Sequence, residues 1–156
     1  MAQAPFVQVK KTYQYEAMFL LGQAVAADFA GSIAHIKEII ARGHGEIIAM
    51  KKWDERRLAY EIRGQKRGLY ILVYLSAPGP DIAHIERDCN LSEKILRTLI
   101  LRCDHLTIDE MKNFDAQKEL EIEAKMRAER PAMANAPLPP AATPPQPEDA
   151  EDGEDL

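Results

Sequence analysis

Cysteine is scarce in this sequence, with only Cys89 and Cys103 among 156 residues. No apolar run approaches the roughly 18 residues that a membrane-spanning helix needs. The first twelve residues also lack the apolar core of a secretory signal. Two cysteines in a chain without an export signal are expected to stay reduced in the cytosol. The sequence therefore predicts a cytoplasmic protein without disulfides.

Motifs that carry catalytic or cofactor chemistry are also missing. The four histidines, His35, His44, His84 and His105, show no ligand spacing with one another. The stretch from Cys103 to His105 places possible ligands together, but a zinc site needs about four convergent ligands. No phosphate-cradling glycine loop is present, and no Ser, His and Asp set stands out as a nucleophilic triad. We therefore predict no catalytic residue, no metal and no cofactor.

Basic residues are absent from 131–156, a segment that holds seven prolines and six acidic residues. Because a Pro- and Ala-rich linker with an acidic end buries too little apolar area to fold, we predict a disordered tail over this range. The tail carries six of the negative charges behind the overall net charge of −5, which leaves +1 on the remainder. A mildly basic domain with an acidic tail indicates an anionic partner.

Hydrophobic periodicity divides the rest of the chain into six elements. Alternating apolar residues predict strands, and recurrence at three and four residues predicts helices. Asp28 is a candidate N-cap, and Gly43 or Gly45 is expected to end the first helix in the left-handed conformation. The predicted elements are strand 13–21, helix 28–42, strand 46–63 interrupted near 53–56, strand 69–76 after a turn over 64–68, helix 81–89 and strand 95–102.

This order is typical of an α+β, ferredoxin-like βαββαβ domain. Such a domain has a four-stranded antiparallel sheet with two helices on one face and the first and third strands in the middle. We predict this domain over 13–104, between a flexible arm at 1–12 and a charged, helix-prone arm at 105–130. In the latter, Thr107 and Glu110 fit a capping box. Trp53 is interpreted as a packing residue at the strand interruption, with an exposed RNA or protein contact as the alternative.

Two sheet faces follow from the alternation. We expect Ala17, Phe19, Leu21, Ile71, Val73, Leu75, Leu96, Thr98 and Ile100 to pack beneath the helices. The opposite face, here called the far face, is predicted to bind a partner through Met18, Leu20, Tyr70, Leu72, Tyr74, Leu99 and Leu101. Large exposed apolar patches usually mark such sites. Three alternatives remain: residues 106–130 fold back over this face, Tyr70 and Tyr74 stack on unpaired bases, or two copies pair through it.

Positive charge is concentrated between residues 51 and 67. RNA phosphates require charge and hydrogen-bond donors, which Arg and Lys supply. The predicted RNA-binding residues are Lys51, Lys52, Arg56, Arg57, Arg63, Lys66 and Arg67, extended by Arg97, Arg102, Lys10 and Lys11. The alternative is that these charges keep an edge strand soluble and unpaired.

One stretch also resembles a known family. Arg56-Arg57-Leu58-Ala59-Tyr60, followed by Ile62 and by Gly68 opening an aromatic strand, resembles bacterial small-subunit ribosomal protein six. Tyr15-Glu16 and Arg97 resemble that family too, and the similarity covers about residues 13–104. Glu61 stands where the family usually has proline, and the acidic extension lies outside the shared core.

The resemblance implies a non-enzymatic structural protein of the small ribosomal subunit with a ferredoxin-like fold. Such proteins bind small-subunit ribosomal RNA together with small-subunit protein eighteen and need no cofactor. The alternative is a ferredoxin-like small-molecule-binding or regulatory domain, because a fold does not determine a function.

Overall fold

The computed structural model describes residues 10–134, and side chains as far as residue 130. The predicted flexible arm up to residue 9, and the predicted acidic tail from residue 135 onward, lie outside the described residues. The strands are β1 (Thr12–Gly22), β2 (Glu46–Ile62), β3 (Gln65–Pro78) and β4 (Ile95–Arg102). The helices are α1 (Gln23–Ala27), α2 (Phe29–Arg42), α3 (Ile82–Leu91), α4 (Ile108–Asn113) and α5 (Gln117–Ala134). Within the described residues no helix has the length and apolarity to cross a membrane.

The four strands form one antiparallel sheet in the order β2-β3-β1-β4. This order confirms the ferredoxin-like prediction, with the first and third strands in the middle. Helices α2 and α3 pack on one face, and the core beneath them is fully buried. Its largest members include Phe19, Phe29, Ile36, Leu75 and Ile85.

Helix α2 begins as the sequence predicted and ends differently. The Asp28 carboxylate accepts a hydrogen bond from the Gly31 amide at 3.1 Å, which confirms the N-cap. Gly43 follows the helix with φ of −83°, so a left-handed glycine is wrong here. His44 takes the positive φ, at 53°. Gly43 is instead required for packing, because a Cβ there would lie 2.1 Å from Ile85 Cγ1.

The β2–β3 hairpin turns earlier than the predicted turn over 64–68. Ile62 pairs with Gln65, so Arg63 and Gly64 form a two-residue turn. Both have positive φ, 47° and 77°. Two-residue hairpin loops favour this conformation because its twist matches the strands, and glycine adopts it without strain. Strand β3 therefore starts at Gln65, four residues before the predicted start.

Strand β2 is irregular at two further places near the hairpin. The register shifts between Lys52 and Asp54, which confirms the predicted interruption and leaves Trp53 as the extra residue. Trp53 is half exposed and packs edge-on against Tyr70, with ring centroids 5.7 Å apart. The register shifts again between Arg57 and Ile62, so the intervening residues bulge away from the ladder.

Leu96 faces the opposite side from the predicted one. The β1–β4 register shifts at Leu20 and Leu21, so that Ile95 pairs with Leu21 and Leu96 is the extra residue. Ile95 joins the core beneath the helices. Leu96 is buried on the far face instead, in a cluster with Leu20, Leu58 and Ile62.

The segment after β4 wraps around the β2 edge of the sheet. Helix α4 lies on the far face, and α5 then packs beside α2 and buries Leu120 in the main core. The link between them bonds to the edge: the Met50 amide donates to Asp115 Oδ1 at 3.0 Å, and the Ala116 amide donates to the Met50 carbonyl at 3.1 Å. The capping box at Thr107 and Glu110 is present. Residues 131–134 continue α5, whereas the sequence placed them in the tail.

Far-face burial overturns part of the partner-surface prediction. Helix α4 places Met111 against Leu72 and Tyr74, and both are 6% exposed. Leu20 is buried by Leu58, which the β2 bulge folds inward. The alternative that residues 106–130 cover this face is therefore correct for the half next to β2. The expectation of an open face is wrong at Leu20, Leu72 and Tyr74.

Candidate functional site

Five cations project from the end of the β2–β3 hairpin, and we call this set the basic hairpin: Arg56, Arg57, Arg63, Lys66 and Arg67. All five are exposed. Arg57 and Arg67 stand directly opposite each other across the strand pair. Like charges in directly opposed positions destabilise a strand pair. An anion bound between them would remove this repulsion.

Few carboxylates neutralise the basic hairpin. Within residues 10–130, Arg56 has one ion-pair partner, Asp54, at 3.7 Å, and the other four cations have none. Arg63 Nη1 makes a long hydrogen bond of 3.5 Å to the Ile95 carbonyl. Since β2 is an edge strand, these charges also protect that edge from pairing with other chains. Protection of the edge and binding of an anion are compatible.

Not all of the predicted RNA-binding residues are brought together. Arg97 lies opposite Leu20, close to the hairpin end of the sheet, and is exposed. Lys10, Lys11 and Arg102 lie at the opposite end of β1. Arg102 stacks over the Tyr13 ring, with 3.9 Å from Cζ to the ring centroid, and pairs with the Asp104 carboxylate, which raises the pKa of Arg102.

Lys10 is also occupied within the chain. It donates to the buried carboxylate of Asp81 at 2.9 Å, which His44 approaches at 3.2 Å. The hydrogen bond from Lys10 lowers the pKa of Asp81, and the nearby His44 adds to the effect. Lys11 lies 5.3 Å from the Tyr13 ring centroid. The cations at this end of the sheet therefore interact with side chains of the same chain.

Lys51 and Lys52 belong to the packing of the C-terminal segment. Lys51 Nζ lies 4.5 Å from the Phe114 ring centroid. Lys52 contacts Glu123 at 2.7 Å and Glu55 at 3.4 Å.

Arg127 completes this network at 2.6 Å from Glu55 and 2.7 Å from Glu123. Burial disfavours the ionised form of both carboxyls. Their hydrogen bonds to Arg127 and Lys52 outweigh burial, so the pKa of each is lowered. Lys52 therefore ties α5 to β2 rather than standing free at the surface.

An apolar groove remains open on the far face, between β4 and the bulged end of β2. Its volume is about 300 Å³, and it is lined by Met18, Tyr70 and Leu99, with Tyr60 and Arg97 at its rim. Leu99 is 57% exposed, and Leu101, further along β4, is 51% exposed. Of the seven predicted partner residues, Met18, Tyr70, Leu99 and Leu101 thus remain accessible.

Tyr74 lies beneath α4, against the Phe114 ring at 5.8 Å between centroids. Burial, together with the neighbouring Glu16 carboxylate, raises the pKa of Tyr74 to about 12. A ring in this position has no free face for a nucleobase. The base-stacking alternative is therefore wrong for Tyr74, and Tyr70 retains partial exposure.

A metal site finds no support in the part of the chain that the structure describes. No group of three or more His, Cys, Asp or Glu side chains there is arranged to hold an ion. Cys103 Sγ lies 4.0 Å from His105 Nδ1, which is a pair rather than a ligand set. Cys89 and Cys103 are both free and buried.

A family model described as Ribosomal protein S6 matches residues 14–102. The chain belongs to the ribosomal protein S6 family. Small ribosomal subunit protein bS6 of Rhodopirellula baltica is 34% identical over 95 residues, covering 60% of this chain and 68% of the relative. The protein of the same name from Acidobacterium capsulatum is 30% identical over 123 residues, covering 78% and 84%. The crystal structure of 30S ribosomal protein S6 from Thermotoga maritima matches the fold with a TM-score of 0.54 at 24% identity, covering 74% of this chain and 99% of that one.

The S6-family region contains the basic hairpin, Arg97 and the groove, while α4 and α5 follow it. Two residues near the site were not among the predicted site residues. Tyr60 is 69% exposed at the groove rim, and Leu58 buries itself to hold the bulge in place. Leu58, Tyr60 and Ile62 alternate as in a regular strand, so the sequence carries no signal of the bulge that separates the buried Leu58 from the exposed Tyr60.

Proposed function

We propose that this chain is a non-enzymatic structural constituent of the small ribosomal subunit in the cytoplasm. In this proposal it binds small-subunit ribosomal RNA through the basic hairpin, together with small-subunit protein eighteen. Residues 13–104 form the binding domain, and residues 105–130 brace it. Membership of the S6 family supports the ribosomal assignment. The observation that supports RNA binding most directly is the unneutralised pairing of Arg57 with Arg67.

Phosphate is the anion that this arrangement suits. Arginine donates two parallel hydrogen bonds to a phosphate, and two opposed arginines bracket one or two consecutive phosphates along a backbone. Such contacts position a protein without reading sequence. Binding also releases counterions from the RNA, so affinity falls as salt rises.

The double variant Arg57→Gln with Arg67→Gln tests this role. We expect about tenfold weaker binding of the protein pair to small-subunit RNA near physiological salt. The slope of log K against log salt should fall by roughly 1.5 to 2, since two phosphate contacts are lost. Filter binding over a salt series measures both quantities. The thermal midpoint should stay the same or rise slightly, because the cross-strand repulsion is removed.

The matched control is Arg87→Gln with Lys118→Gln, two exposed cations outside the hairpin. It removes the same charge and should leave the salt slope nearly unchanged. Equal losses in the two double variants would show that only net charge matters, and the phosphate role of the hairpin would be rejected.

The groove and the exposed β4 leucines are proposed as the contact for protein eighteen. Leu99→Gln with Leu101→Gln should weaken binding of that protein at least tenfold, because two half-exposed apolar side chains lose their burial against a partner. Titration calorimetry measures the loss. The fold should persist, since neither leucine belongs to the buried core.

Leu91 on α3 and Ile122 on α5 are 70% and 57% exposed, and their double glutamine variant is the control. If both variants bind protein eighteen like the parent, the partner uses another surface. A mass measurement that finds the free parent dimeric and the Leu99/Leu101 variant monomeric would favour pairing of two copies instead.

A further inference from the structure

Helix α5 leads the chain toward the basic hairpin. Lys52 of β2 contacts Glu123, and Glu55 of β2 contacts Arg127, four residues later on α5. Both elements therefore advance in the same direction. Arg127 Nη1 also donates to the carbonyl of Ala26 at 2.9 Å, and α1 follows directly after the end of β1.

That end of β1 lies beside the hairpin. Gly22 pairs with Gly68, and Gly68 pairs with Arg56. The C-terminal end of α5 and the basic hairpin thus share one end of the sheet. Beyond Arg127, α5 continues about 10 Å to Ala134, at about 1.5 Å per residue. From Glu55 to the hairpin turn, β2 continues about 23 Å, at about 3.3 Å per residue.

The sequence that follows α5 carries the complementary charge. Residues 135–147 contain six prolines and no charged side chain, and residues 148–155 contain six carboxylates. A 13-residue spacer reaches about 40 Å when extended, at roughly 3.1 Å per residue for a proline-rich segment. This reach exceeds the distance along the hairpin. Six carboxylates therefore come within range of five cations that have a single ion-pair partner among residues 10–130.

We propose that the acidic segment 148–155 binds the basic hairpin of its own chain and competes there with RNA phosphates. Its effect on RNA rests on the proposed function, while the contact itself does not. Carboxylates offer arginine the same paired acceptors that phosphates do. Tethering raises the local concentration of the segment to the millimolar range. Because exposed ion pairs are individually weak, a cognate RNA with many phosphates displaces the segment, and isolated weak polyanions do not.

A spin label on Ala150→Cys of the full chain tests the contact directly. Cys89 and Cys103 are each 1% exposed, so the new thiol is labelled selectively. At low salt the label should attenuate the amide signals of residues 56–67 and spare those of residues 10–15 at the other end of the sheet. Raising the salt to about 1 M, where the screening length is about 3 Å, should restore the signals.

The control carries the same label with every acidic side chain of the segment changed to its amide. Its substitutions are Glu148→Gln, Asp149→Asn, Glu151→Gln, Asp152→Asn, Glu154→Gln and Asp155→Asn. Attenuation that persists in this control, or that spreads evenly over the domain, overturns the proposal. A second sample tests whether the acidic segment comes from the same chain or from another copy. It mixes isotope-labelled parent, which carries no spin label, with spin-labelled chain that is not isotope-enriched. If the attenuation in this mixture equals that of a chain carrying both labels, a second copy supplies the segment and the proposal is overturned.

Competition between the acidic segment and RNA is tested by measuring the affinity for a 20-nucleotide single-stranded RNA. The amide variant without the label should bind it about tenfold more tightly than the parent at about 50 mM salt, and the ratio should approach one near 0.5 M. Equal affinities at low salt overturn the competition. If neither the parent nor the amide variant binds small-subunit RNA in the presence of protein eighteen, the proposed function is wrong. The spin-label experiment still decides whether the acidic segment contacts the hairpin.

Discussion

Gly68→Val is expected to lower the free energy of unfolding by about 2 kcal/mol, the cost of overpacking a closed cluster. A Cβ at this position would lie 2.4 Å from Leu20 Cδ1, 3.2 Å from Leu58 Cδ2 and 3.3 Å from the Leu21 carbonyl oxygen. Leu20 and Leu58 are held with Ile62 in the buried far-face cluster, so neither side chain moves without disturbing the other. Urea unfolding followed by circular dichroism measures the change.

The direction of the change in unfolding free energy distinguishes steric overpacking from intrinsic strand preference. Intrinsic preference favours valine over glycine within a strand, so a position without steric constraint would be stabilised. Leu20→Ala opens space at the closest contact, and the Gly68→Val cost should be at least halved in that background. A parent-like or raised unfolding free energy in the single variant would contradict the packing argument.

The same packing links stability to the RNA surface. Gly68 lets Leu58 fold back across β3, and Leu58 anchors the bulge between Arg57 and the hairpin turn. Disrupting this cluster should therefore lower stability and also make the distances between the arginines of the basic hairpin variable. In this part of the chain, the residues that carry positive charge depend on apolar neighbours for their positions.

Met111→Glu is expected to release helix α4 from the far face and expose Cys103. Met111 is fully buried against Leu72, Tyr74 and Cys103. A carboxylate has no cationic partner in that cluster and costs several kcal/mol to bury, so α4 opens instead. Labelling of Cys103 by a thiol reagent should accelerate at least 100-fold, because labelling follows the population of the open form.

The ionisation of the Cys103 thiol further increases the difference in labelling rate between the closed and open forms. Burial raises the pKa of the Cys103 thiol in the closed form, and the Glu16 carboxylate adds to this effect. The reactive thiolate is therefore scarce while α4 is docked, and opening returns the pKa toward its ordinary value. Mass spectrometry after timed labelling separates Cys103 from Cys89.

Three controls distinguish local release from general unfolding. Cys89 lies in the main core and should stay protected in the variant. Met126→Glu places the same charge on α5 at a side chain that is 64% exposed, and it should leave Cys103 labelling unchanged. Met111→Leu keeps the buried volume and should do the same. Equal acceleration at both cysteines would mean that α4 is required for the whole fold.

Release of α4 would also widen the partner surface. Leu72 and Tyr74 would become accessible beside the groove, restoring the open face that alternation predicted. The C-terminal segment therefore narrows the far face to its β4 half, where Leu99 and Leu101 remain exposed.

Local patterns predicted the elements and their order because each pattern depends on neighbours in the chain. The helix predicted over 28–42 needed only the recurrence of apolar residues at three and four residues, and the residues that form this stripe, Phe29, Ile33, Ile36 and Ile40, are all buried. Strand β4 begins and ends at the predicted residues. The Asp28 cap and the capping box at Thr107 likewise rest on groups three residues apart.

Errors occurred where the register between two strands, rather than the pattern within one strand, decides the outcome. Leu96 changed faces because β4 carries one extra residue against β1, and a shift of one residue reverses the direction of a side chain. The hairpin turn moved because the pairing of Ile62 with Gln65 selects a two-residue loop. For the arm over 105–130, the sequence predicted a tendency to form helix but not its position, which ion pairs of Lys52 with Glu123 and of Arg127 with Glu55 fix against β2.

From its sequence alone, this protein has a ferredoxin-like domain, a cationic hairpin and an acidic end, because periodicity and charge are properties of consecutive residues. Only the tertiary structure decided that Arg57 faces Arg67, that α4 covers half of the far face, and that Arg127 on α5 pairs with Glu55, the residue before the first arginine of the hairpin. Those features arise from register and from packing between distant segments. Neither the register between strands nor the packing between distant segments can be deduced from a single stretch of the chain.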